Sequence, residues 1–125
     1  MAGDEKQSND EGIQKNGKRV VFANDSEREF ANILDFYQIE WQYEPRTFPL
    51  RWDSEGRILE SFTPDFYLRE LDLYVELTTL KQSLVTKKNR KVRRLRELYP
   101  DINIKLFYGH DYRSLMAKYG LALVK

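Results

Sequence analysis

Two carboxylates stand where a chain like this can least easily place them. Asp65 lies in the run Phe62-Thr63-Pro64-Asp65-Phe66-Tyr67-Leu68, and Glu76 in the run Leu73-Tyr74-Val75-Glu76-Leu77-Thr78-Thr79. Both runs are rich in apolar and aromatic residues and read as buried β-strands. A charge buried alone costs far more than a strand can supply, so each acid needs a partner. The break at 69–72 lies midway between them. A hairpin turning there sets Asp65 near Glu76, and alternate strand residues share a face. Side by side, the two are a donor pair for one divalent cation. A lone acid in a strand more often sits at a strand end facing water, or pairs with an arginine. Pro64 before Asp65 and apolar residues beside both acids favour the paired reading.

The donor inventory narrows the ion. The 125 residues include no cysteine, and His110 is the one histidine. Thiolate sites, disulfides and a cysteine nucleophile are excluded, and a metal site must be mainly oxygen-liganded, which points to Mg²⁺ or Mn²⁺ rather than zinc. The length suits one domain that buries roughly two thirds of its surface on folding. No apolar run approaches the roughly 20 residues of a membrane span. Residues 1–6 lack the basic start and apolar core of a signal peptide. The expected location is the cytoplasm, with no membrane partner.

Charge is near balance in total but not in distribution. Within 87–96, seven of ten residues are cationic and none is acidic. Such a stretch repels itself unless an anion lies nearby, and nucleic-acid phosphate is the anion that suits it. Cation runs are often only solvated helix faces, but those usually interleave acids at i+4. Lys81, Lys87, Arg90, Lys91 and Arg94 are the candidate phosphate contacts.

Residues 1–17 are polar and glycine-containing and are expected to be a flexible tail, leaving 18–125 as one domain. A short extended lead-in over 18–23 precedes a helix over 26–38. Ser26 is its expected N-cap and Glu29, three residues on, completes a capping box. Phe30, Ile33, Leu34 and Tyr37 form its apolar face. Strand-like segments at 39–44, 46–52 and 61–68, and then 73–79, predict an antiparallel meander. A helix over 84–99 follows, ended by Pro100. A strand over 102–108 is expected to pair parallel to 73–79, and a helix over 111–119 closes the order. The expected class is α/β: a mixed central sheet of four to five strands flanked by helices, order αβββαβ plus a C-terminal helix.

Thr63-Pro64-Asp65 followed by Val75-Glu76-Leu77-Thr78 resembles the motif of the PD-(D/E)XK nuclease superfamily, the restriction-endonuclease-like fold. The resemblance spans about residues 26–108. It implies a domain that hydrolyses phosphodiester bonds of nucleic acid, with DNA as the substrate class, Mg²⁺ or Mn²⁺ as cofactor, and a homodimer as one assembly. Asp65 and Glu76 match the motif acids, and Glu29 fits the further acid such enzymes take from their first helix. Glu29, Asp65 and Glu76 are then the metal ligands. The motif lysine is missing, since Thr78 holds its place, and a hydroxyl cannot replace an ammonium as an electrostatic stabiliser. The expected inner stripe of the basic helix, Leu84, Lys88, Val92 or Lys91, Leu95 and Tyr99, offers Lys88 as the migrated lysine. Asp65, Glu76 and Lys88 make the expected catalytic set, with Lys91 and Lys81 behind Lys88. Thr78 also leaves open a catalytically inactive nucleic-acid-binding module on the same fold. The stretches Glu76-Leu77-Thr78-Thr79 and Lys87-Lys88-Asn89-Arg90 further resemble a domain found fused to hypoxanthine-type phosphoribosyltransferases. On that likeness the chain would be an accessory domain in nucleotide metabolism.

Overall fold

The structure is a computed structural model that describes residues 11–78, 82–109, 111–115 and 117. It is a mixed α/β domain with three helices, a four-stranded mixed sheet and two hairpins. Of the expected tail, residues 11–17 are described and carry a strand. Strand β1 (Glu11–Ile13) pairs antiparallel with β2 (Arg19–Val21), turning at Gly17 with φ 86°. Val20 and Phe22 are buried, Gly12 packs closely against the Phe22 ring, and buried Gln14 accepts from the Tyr43 N–H at 3.2 Å.

Helix α1 (Asp25–Phe36) starts one residue earlier and ends two earlier than the sequence suggests. Its N-cap is Asn24, not Ser26. The Asn24 side chain accepts from the Glu27 N–H at 3.0 Å, and Glu27 Oε1 reaches back to the Ala23 N–H at 3.0 Å. The capping pair is therefore Asn24 and Glu27, two residues ahead of the expected Ser26 and Glu29. Phe30, Ala31 and Leu34 are the buried apolar residues of α1, while Ile33 and Tyr37 are partly buried.

The expected continuous meander breaks into two sheets. Strands β3 (Trp41–Tyr43), β6 (Phe66–Leu68), β7 (Leu73–Thr78) and β8 (Ile104–Tyr108) form the central sheet in the order β3-β6-β7-β8. β6 is antiparallel to both its neighbours, and β8 is parallel to β7, as a strand returning after a helix should be. Strands β4 (Phe48–Trp52) and β5 (Ile58–Phe62) form a separate hairpin. The run 61–68 is thus not one strand: it ends one sheet at Phe62, bends through Thr63-Pro64-Asp65, and enters another at Phe66.

Helix α2 (Gln82–Leu98) crosses from β7 to β8, and α3 (Tyr112–Leu115) follows β8. Met116, Lys118 and Tyr119 of the expected last helix, and also His110, lie outside the described residues. Among those described, no helix is long and apolar enough to cross a membrane.

The sheet separates two cores. One holds Phe30, Leu34, Phe66, Val75, Leu77 and Tyr112 against α1. The other holds Phe48, Leu50, Phe62, Tyr74, Val92 and Leu95 between the sheet, the β4–β5 hairpin and α2. Phe66 is the hub of the first: its ring lies 5.0 to 6.0 Å from those of Phe30, Tyr43, Trp41 and Phe22. Truncating so enclosed a ring removes its transfer energy and leaves a cavity. Phe66→Ala is expected to lower stability by about 3–5 kcal/mol in urea unfolding. A loss no larger than that of an exposed substitution, about 0.5 kcal/mol, would show that the aromatic cluster is not what holds α1 to the sheet.

Candidate metal and nucleic-acid site

The pairing register places the two acids. β6 and β7 pair Phe66 with Val75, so one step outward sets Asp65 opposite Glu76. Asp65 stands just ahead of β6, and its carbonyl oxygen still accepts from the Glu44 N–H at 2.8 Å, one step beyond the β3–β6 pairing. The Asp65 N–H donates to Glu76 Oε1 at 3.0 Å, and the Leu77 N–H donates to Asp65 Oδ2 at 2.9 Å. These crossed bonds lock the two carboxyl groups together. Both residues are buried, Asp65 at 7 % exposure and Glu76 at 4 %.

Lys88 reaches this pair from α2. Val92 and Leu95 are the buried residues of the helix's inner stripe, and Lys88 lies one turn before Val92. Its Nζ sits 2.9 Å from Glu76 Oε2 and donates to the Leu77 carbonyl oxygen at 2.7 Å. Asp65, Glu76 and Lys88, the three residues expected to carry chemistry, are brought together. Thr78 is two residues beyond Glu76 in β7, hence on the same face. Its Oγ1 is buried without a hydrogen-bond partner.

Burial sets the charges. Removal from water, with the Glu76 charge next in size, pushes the Asp65 carboxyl up to about 8. Glu76 is also raised by burial, opposed chiefly by the charge of Lys88. The pair titrates as a unit that favours one proton held between two carboxyl groups.

Of the two acids Glu27 and Glu29 on α1, Glu27 is the buried one. Residues two apart on a helix point about 200° apart. Glu27 continues the buried stripe Phe30, Ala31 and Leu34, and its charge helps to raise Asp65. Glu29 looks the other way, bonded to the Tyr112 hydroxyl and paired with Arg113 at 2.7 Å. The spacing of Glu27 from Phe30, Ala31 and Leu34, at i+3, i+4 and i+7, was the signal that identifies it. Glu27 accepts from the Tyr43 hydroxyl at 2.6 Å as well as from Ala23, so it serves as an anchor.

The cations of α2 are not all available for an external anion. Arg90 forms a double hydrogen bond with Glu60 of β5, at 2.7 and 3.2 Å. Arg94 donates to the Leu50 carbonyl oxygen and Arg96 to that of Ile104. Arg90 and Arg94, expected as phosphate contacts, are thus tied to the hairpin. Lys87 and Lys91 line a groove with Ser61, Phe62, Thr63 and Glu76, with Lys88 between them. Lys81 lies outside the described residues.

No family model, curated protein or solved structure matches the chain. The site therefore rests on its own chemistry. Asp65, Glu76 and the Leu77 carbonyl are hard oxygen donors, the kind that suits Mg²⁺. Among the described residues, no group of three or more histidine, aspartate or glutamate side chains is placed to hold a metal. The donor type fits, and water or substrate oxygens would have to complete the coordination.

The unfolded chain releases the Asp65 proton near 3.8, whereas the folded chain keeps it to about 8. Stability associated with this group is present in full below the lower value and falls as pH rises between the two. The slope is at most about 1.4 kcal/mol per pH unit. Urea unfolding at pH 5 and pH 8 in metal-free buffer should show this loss, and Asp65→Asn should flatten it. An equal slope in both proteins would assign the proton elsewhere.

Proposed function

We propose that this chain is a metal-dependent nuclease-like domain of the PD-(D/E)XK kind, hydrolysing phosphodiester bonds of nucleic acid, with DNA the substrate class to test first. The observation that carries the reading is the ammonium of Lys88 at 2.9 Å from Glu76, beside Asp65. A helix has supplied the lysine that the strand lacks at Thr78. The element order also supports it: a helix, an antiparallel pair carrying the two acids, a crossover helix and a parallel strand.

In this reading Asp65, Glu76 and the Leu77 carbonyl would hold Mg²⁺, whose chemistry when bound is to polarise a phosphate and to acidify an attacking water. Lys88 then neutralises charge developing on the phosphate oxygens. Lys87 and Lys91 hold the strand by its phosphates, which positions nucleic acid without reading its sequence. Leu84, 40 % exposed, also lines the groove.

A second reading, a nucleic-acid-binding module without activity, is favoured by one fact: Glu27 is fully engaged and adds no third ligand. Plasmid cleavage separates the two. The nuclease reading expects Mg²⁺-dependent nicking that falls on the order of 10²–10³-fold in Lys88→Ala and further in Asp65→Ala. Salt-sensitive binding of DNA and RNA with no cleavage of either would replace it with the binding module.

A further inference from the structure

We propose that Lys88 is the resident counter-ion of this site: its ammonium holds the seat that a divalent cation would take, so the two exclude each other. The proposal rests on the metal reading above and adds to it how the site is kept closed to cations.

The seat is defined by oxygens. Lys88 Nζ lies between Glu76 Oε2 at 2.9 Å and the Leu77 carbonyl oxygen at 2.7 Å. Those are two of the three donors that the chain offers a metal, and the third, Asp65, is tied to both residues through their backbone and side-chain hydrogen bonds. An ammonium with three donors satisfies the same lone pairs that a hard cation would. Two cations cannot share them at these distances.

Lys88 has room to leave. Its side chain is 27 % exposed, while Glu76 is 5 % exposed at the other end of the pair. Its stem stands between two openings. One is the groove with Lys87 and Lys91, and the other is lined by Asn24, Ser26, Leu77 and Thr78. The second is lined by Thr78, whose buried Oγ1 has no hydrogen-bond partner among the described residues. A lysine stem is long and flexible, and its head can swing toward the groove where a backbone phosphate would pass. The same residue thus closes the empty site and, once displaced, faces the substrate.

The test uses Mn²⁺ and the whole chain. Isothermal titration compares wild type, Lys88→Met and Lys87→Met. If Lys88 holds the seat nine-tenths of the time, freeing it tightens Mn²⁺ binding about tenfold, since apparent affinity scales with the competent fraction. Lys87→Met removes an equal charge one residue away and should change binding little. Equal gains in the two variants overturn the proposal and leave the metal reading intact. Mn²⁺ binding by none of the three overturns both. Because Lys88→Met leaves buried carboxyl groups without their cation and can unfold the chain, wild type is also examined directly. Amine-reactive labelling followed by peptide mass spectrometry should show Lys88 becoming several-fold more reactive with saturating Mn²⁺, with Lys87 unchanged. Lys88 labelling that stays level or falls means that metal and ammonium occupy separate places, and the proposal fails.

Discussion

Two carboxyl groups side by side inside a protein cannot both carry charge without a cation in reach. That constraint organises this domain more than any apolar contact. Asp65 and Glu76 are held together by crossed backbone hydrogen bonds, so neither can turn outward to water. The answer is supplied by Lys88, delivered from a helix that packs on the other face of β7 from α1. The position of α2 over the sheet and the charge balance of the site are thus one problem, solved by the same stripe of residues: Lys88 for charge, and Val92 and Leu95 for packing.

Much of that core arrangement was legible. The pairing of Asp65 with Glu76 follows from a turn centred between them, because register in a hairpin is set by its turn. Lys88 follows from helical spacing ahead of Val92 and Leu95. The buried acid of α1 was not legible in the same way. Asn24 with Glu27, and Ser26 with Glu29, are both capping-box spacings, and local pattern cannot choose between them. The choice is made by tertiary partners, since Glu27 also meets Tyr43 from β3 whereas Glu29 meets Tyr112 and Arg113.

The partners of the cation run were hidden for a related reason. Counting acids inside the helix finds none over 87–96, but charge balance operates in space. Glu60 lies 30 residues before Arg90 in the sequence and directly across from it in the fold. Departure of β4 and β5 from the central sheet was equally hidden, since strand alternation is the same whichever sheet a strand joins. Once the hairpin folds over α2, the arginines gain partners there: Arg90 at Glu60 and Arg94 at Leu50, with the Tyr99 hydroxyl bonded to the Pro49 carbonyl as well.

Tyr112 has a consequence for how the domain comes into being. It is fully buried against Phe30, with ring centroids 5.2 Å apart, and its hydroxyl meets Glu29, 83 residues earlier. As the chain emerges from a ribosome, α1, β3, β6 and β7 are all made before this plug. Until it arrives, the aromatic cluster around Phe66 has an open side, and closing so long a loop is slow. The contact that covers Phe30 therefore forms across a far longer span of sequence than the pairing of Asp65 with Glu76, and it is expected to lag behind that pairing as the domain folds.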